Sequence, residues 1–183
     1  MRITGGALGS RRLHVPRSAD IRPMRDQVRA ALFNILMDVV EDSVFLDLFA
    51  GTGSVGLEAL SRGAAEAVFV DQGREALELL QRNVAELAVG DRAHILAEDV
   101  FRALTQLSEA DRRFDLVFVG PPYGAELAHQ TLIQVADEDV LGPEAVVVTE
   151  IFKKESVNAE YGLLTRIDER LYGDNRLVFY RRT

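Results

Sequence analysis

From residue 44 to residue 150 the chain alternates short apolar runs with amphipathic stretches, and few folds accept that pattern. Segments 44–49, 67–71, 93–97, 114–119 and 145–150 read as strands. Segments 55–62, 74–87, 100–107 and 126–136 read as helices. In the longest of these, Leu77, Leu80, Val84 and Leu87 recur at helical spacing and share one face. Strands that alternate with helices predict a parallel sheet covered on both sides. The tail breaks the pattern. Segments 163–171 and 176–181 flank Gly173-Asp174-Asn175 and predict a hairpin, so the sheet should end on an antiparallel strand.

Ahead of the alternation, residues 25–40 predict one helix, with Val28, Ala31, Leu32, Ile35, Leu36 and Val39 as its apolar stripe. The first twenty residues hold Gly5, Gly6, Gly9 and Pro16 beside an alternating Leu13 and Val15. They predict a short hairpin or extended arm. The 183 residues therefore divide into an arm, 1–24, and one domain, 25–183.

Net charge is -8, which argues against a nucleic-acid partner until it is divided along the chain. Residues 1–34 carry +5, residues 35–165 carry -15 and residues 166–183 carry +2. Basic ends around an acidic middle point toward nucleic acid. The chain has no cysteine, which excludes disulfides, thiolate nucleophiles, iron–sulfur clusters and Cys-based zinc sites. His14, His94 and His129 stand alone, without metal-ligand spacing, so no metal is expected. The first ten residues lack the apolar core of a secretory signal, and no run approaches a membrane span. A soluble cytoplasmic protein is expected.

The strongest local motif is Asp47-Leu-Phe-Ala-Gly51-Thr-Gly53-Ser-Val-Gly56, between the first strand and its helix. Gly51, Gly53 and Gly56 match the dinucleotide fingerprint, and Asp71 follows Gly51 by 20 residues at the end of the next strand. Without a Lys-Ser/Thr pair it is not a P-loop. A nicotinamide or flavin dinucleotide fits the spacing, but Asp47 would face its pyrophosphate and repel it. S-adenosylmethionine has no phosphate; it carries an ammonium and a sulfonium, which a carboxylate attracts. Its own carboxylate can use the helix N-terminus. On this reading Phe49, Ala50 and Thr52 join Asp47 and the glycines around the donor. Asp71 and Gln72 meet the ribose, and Asp99 and Val100 meet the adenine. A helix N-cap is an equal reading of Asp99 alone.

The fourth strand ends in Val119-Gly120-Pro121-Pro122-Tyr123, a rigid loop with an aromatic at its end. This resembles the Asp/Asn-Pro-Pro-Tyr/Phe signature of methyltransferases that act on exocyclic base amines. Such an amine delocalises its lone pair into the ring. Acceptors on its two N–H groups favour pyramidalisation and free that pair, while the aromatic ring stacks on the base. Gly120 departs from the signature: the Pro121 carbonyl remains, but the side-chain acceptor is gone. One such aimed group is worth on the order of 10²–10³ in rate. Three readings stay open: a substitution that removed the acceptor, weakened or displaced chemistry, or an acceptor supplied elsewhere. Under the first, Gly120→Asp raises methyl transfer.

The N-terminal sequence Arg2-Ile-Thr-Gly-Gly6, with Arg11-Arg12, Ile21-Arg22-Pro23-Met24-Arg25-Asp26-Gln-Val28-Arg29 and Leu32-Phe33-Asn34, completes a wider likeness. With the glycine loop, the Pro-Pro-Tyr loop and Tyr172-Gly173-Asp174, the chain resembles a bacterial 16S rRNA (guanine-N2) methyltransferase family (RsmD-like). The resemblance implies a Rossmann-like methyltransferase fold, with a mostly parallel seven-stranded sheet. It also implies an S-adenosyl-L-methionine-dependent monomer acting on small-subunit ribosomal RNA, free or in an assembling subunit. Gly120, Pro121, Pro122 and Tyr123 would be catalytic, and Arg2, Arg11, Arg12, Arg22, Arg25 and Arg29 would meet RNA phosphates. The family's Arg-Pro-Thr is Arg22-Pro23-Met24 here. The alternatives are an adenine-N6 or other amino methyltransferase, and a relative that binds without efficient turnover.

Overall fold

A computed structural model describes residues 1–16, 24–122 and 125–183. Arg22 and Tyr123, both named as site residues, lie outside the described residues. Five strands form the parallel part of the sheet: β1 (Val44–Leu48), β2 (Glu66–Asp71), β3 (Ala93–Ala97), β4 (Phe114–Val119) and β5 (Leu141–Phe152). The last three strands, β6 (Glu160–Tyr161), β7 (Leu164–Tyr172) and β8 (Asn175–Arg182), are antiparallel. The order is β3-β2-β1-β4-β5-β8-β7-β6. The sheet thus has eight strands rather than seven, because the two-residue β6 adds an edge beyond the predicted hairpin.

Six helices accompany the sheet among the described residues: α1 (Asp26–Ile35), α2 (Met37–Val40), α3 (Ser54–Ser61), α4 (Arg74–Leu87), α5 (Val100–Glu109) and α6 (Ala125–Asp137). The single helix expected over 25–40 is broken at Leu36, where ψ is 5°. The break turns Ile35 and Val39 outward, and Val28, Leu32, Leu36 and Val40 carry the buried stripe.

Alternation along the strands sorts two cores. Phe45, Phe69, Phe118 and Val148 pack under α1, α3 and α4. Leu46, Leu48, Val70, Val119 and Val147 pack under α5 and α6. The described part of the arm closes over the first core. Arg2 and Arg12 form an antiparallel bridge, and Ile3 and Leu13 are buried in the core. That cover explains why all of α3 is buried although one face would otherwise meet water. Its single charge, Glu58, accepts from the Thr4 and Gly5 backbone N–H groups (2.8 and 2.9 Å), Arg29 Nε (3.0 Å) and Arg62 Nε (2.9 Å). Burial pushes the Glu58 carboxyl up, but these bonds outweigh it and hold it below its ordinary range.

Strand order reverses between β1 and its neighbours β2 and β4. In an open sheet of this kind the ligand crevice lies at such a switch point, outside the carboxyl ends of the strands.

Candidate functional site

A cleft of about 340 Å³ opens at that switch point. The loop after β1 forms one wall with Phe49, Ala50, Gly51 and Thr52. The ends of β2 and β3 contribute Asp71, Gln72, Glu98 and Val100. The loop after β4 supplies Gly120, Pro121 and Pro122. Four sequence-distant segments thus meet where the alternation and the glycine motif place them.

The loop after β1 turns sharply. Phe49 has φ 62° and Gly51 φ 56°, both left-handed. Gly53 caps α3 at φ 80°, and its Cβ would lie 2.4 Å from Leu80 Cδ1, so it shapes the loop from behind the cleft wall. Gly56 lets the sheet approach the helix: a Cβ there would lie 2.4 Å from the Phe69 ring and 3.1 Å from Asp47 Oδ2. Through that gap the Gly56 N–H donates to Asp47 Oδ2 at 2.8 Å. Asn83 ties the loop to α4 and the arm by donating to the carbonyls of Thr52 (3.0 Å) and His14 (3.1 Å).

Asp47 is 1% exposed, and among the described residues no cation pairs with it. Burial raises its pKa from 3.8 to about 7, against the Gly56 bond, and the nearby Asp71 charge adds to the rise. Asp71 holds two backbone groups, Gly51 N–H on Oδ2 (2.7 Å) and Gly73 N–H on Oδ1 (2.8 Å). Thr52 Oγ1 is buried without a hydrogen-bond partner among the described residues. An orphaned hydroxyl and an unpaired buried carboxylate in one loop are costly unless a ligand completes them.

Two expected residues sit elsewhere. Asp99 caps α5, accepting from Phe101 N–H (3.0 Å) and Arg102 N–H (3.2 Å), and Glu98 lines the cleft from that strand end. Arg29 is fully buried. It bonds Glu58, Asp26, the Met24 carbonyl and the Arg2 carbonyl, so it is the arm's anchor and offers no surface to a phosphate. Arg2, Arg11, Arg12 and Arg25 are exposed. Met24, Glu98, Leu127 and Glu150 also line the cleft, and no sequence motif marks them as site residues. Glu98 follows the end of β3, and Glu150 stands where β5 runs past the last residue of β4.

Gly120 has a local reason. Its Cβ would lie 2.7 Å from Phe118 Cε1, in a ring that is 4% exposed. A side chain at 120 must displace that ring, which removes the simple expectation that Gly120→Asp restores a waiting acceptor site.

A doubly wound sheet with this switch-point cleft and antiparallel end strands defines a Rossmann-like methyltransferase fold. An RNA methyltransferase from Salinibacter ruber, solved in complex with S-adenosyl-L-homocysteine, shares it at 18% identity, covering 88% of this chain and 94% of that one (TM-score 0.69). The family described as conserved hypothetical protein 95 matches residues 1–181, and the chain belongs to it. The ribosomal RNA small subunit methyltransferase D of Escherichia coli K12 is 38% identical over 150 residues, covering 82% of this chain and 74% of that protein. A solved hypothetical protein of Thermus thermophilus is 33% identical, covers 98% of both chains and superposes with a TM-score of 0.84.

Proposed function

We propose that the chain is an S-adenosylmethionine-dependent methyltransferase that modifies the N2 amine of a guanine in small-subunit ribosomal RNA. One observation carries the donor assignment. Asp47, Asp71 and Glu98 line the cleft, and among the described residues no lysine or arginine does. Such a site repels a pyrophosphate and attracts a ligand with a sulfonium and an ammonium. Thr52, whose hydroxyl has no partner among the described residues, lines the same cleft. The name of the Escherichia coli relative supports ribosomal RNA as substrate.

When bound, the donor supplies an electrophilic methyl group. The chain's residues supply the rest. Asp47 faces the donor's positive charge, and Asp71, held by Gly51 and Gly73, presents its remaining lone pairs to the ribose. Val100 and Phe49 pack beside the adenine. Pro121 offers its carbonyl to one N–H of the base, and Tyr123 stacks on the flipped ring. Arg2, Arg11, Arg12 and Arg25 meet the RNA backbone. Action as a monomer in the cytoplasm, on RNA or on an assembling small subunit, belongs to the same reading. Calorimetry with S-adenosylmethionine and with NAD tests the donor: micromolar-range binding of the first is expected. Failure to bind it, or tighter binding of NAD, defeats the assignment.

A further inference from the structure

Resting on that reading, we propose that Glu150 is the side-chain acceptor for the reacting amine, in place of the acid or amide that position 120 lacks. β4 and β5 run parallel with Phe118 beside Val148 and Val119 beside Thr149. One step further along the pair, Glu150 stands beside Gly120. Alternation puts position 150 on the face of Phe118 and Val148, the face on which a side chain at 120 would stand. Glu150 lines the cleft together with Gly120, Pro121 and Pro122.

The carboxylate is oriented but not used up. Asn175 Nδ2, at the start of β8, donates to Oε1. Among the described residues no donor meets Oε2. Burial pushes the carboxyl above its ordinary range, which exceeds the opposing influence of the Asn175 bond and the Arg25 charge. A half-buried carboxylate with one free oxygen, next to the Pro-Pro loop, suits an amine N–H. The missing reach of a residue at 120 is made up from the neighbouring strand, while Phe118 fills the space at 120 itself.

The step balances. The amine nitrogen forms the N–CH3 bond as the S–CH3 bond breaks and leaves its electron pair on sulfur. The nitrogen's surplus proton passes to Glu150 Oε2 and from there to water.

Glu150→Ala and Glu150→Gln test the assignment in a radiolabelled methyl-transfer assay on small-subunit RNA, alongside donor calorimetry and thermal melts. Gln keeps one acceptor oxygen, which can meet Asn175 or the amine N–H but cannot take up the proton. The expected result is a fall in kcat on the order of 10²–10³ for Glu150→Ala and about tenfold for Glu150→Gln. KM for RNA and donor Kd should stay within about twofold in both. Wild-type kcat in Glu150→Ala overturns the inference and leaves the proposed function standing. Loss of donor binding or melting temperature in step with kcat makes Glu150 a packing residue and also overturns it. Wild-type protein that transfers no methyl group defeats both readings together.

Discussion

If Asp47 answers the donor's charge, donor binding must release a proton. In the free protein the Asp47 pKa is about 7, against an ordinary 3.8. A cation beside it favours the ionised form. If the bound complex returns it to the ordinary range, about 0.5 proton is released per donor at pH 7 and about 0.25 at pH 7.5. The same linkage makes affinity rise about 50-fold between pH 5 and pH 7. Calorimetry in two buffers of different ionisation enthalpy reads the proton count directly. The range must stop near pH 7.5, because the donor's own ammonium titrates at about 7.7–8.0. Asp47→Asn should abolish the proton release and flatten the profile, with variant and wild type converging near pH 5. Stability moves the other way. The raised pKa means the native state holds more protons than the unfolded chain between about pH 4 and 7, so donor-free stability falls as pH rises through that window. The gap of about 3 units corresponds to at most about 4 kcal/mol, which Asp47→Asn should largely recover at pH 8 and not at pH 4. A wild type that binds donor with no proton release, or a variant with the wild-type pH profile, refutes the role of Asp47.

Arg29→Ala should destabilise the fold by about 3 kcal/mol in denaturant melts, because it strips the buried Glu58 of one of its two guanidinium partners and leaves the Met24 and Arg2 carbonyls without that donor; a loss confined to RNA affinity would return Arg29 to the RNA surface. Replacing Arg12 or Arg25 by Ala should leave melting unchanged and reduce the slope of log affinity against log salt by about 0.7 each on single-stranded RNA; unchanged slopes remove them from the interface. Gly120→Asp should cost about 1–3 kcal/mol as the Phe118 ring is displaced, and it should not raise methyl transfer; a rise shows that position 120 was a vacant acceptor site after all.

Much of the fold was legible because periodicity reports burial. β3, β4 and α4 fall on their predicted limits. The errors have physical sources. β5 starts at Leu141, ahead of the predicted 145, because Gly142-Pro143-Glu144 hides a strand start at a register shift against β4. The stripe over 25–40 counted Ile35 and Val39 as core because a periodic pattern does not show where a helix breaks. Arg29 was grouped with its charged neighbours because charge density carries no information about which member is buried. The site was legible where chemistry required a residue type at a turn, as with Asp47, Gly51 and Asp71. Glu150 was missed because its partner positions, Gly120 and Asn175, are set by strand order and register.

The most direct test of the account is transfer of a radiolabelled methyl group from S-adenosylmethionine to small-subunit RNA, free and assembled, followed by mapping of the modified nucleotide. Label is expected on the N2 amine of a guanine. Label on an adenine, on a ring nitrogen or ribose, or on no nucleotide while the donor binds contradicts it.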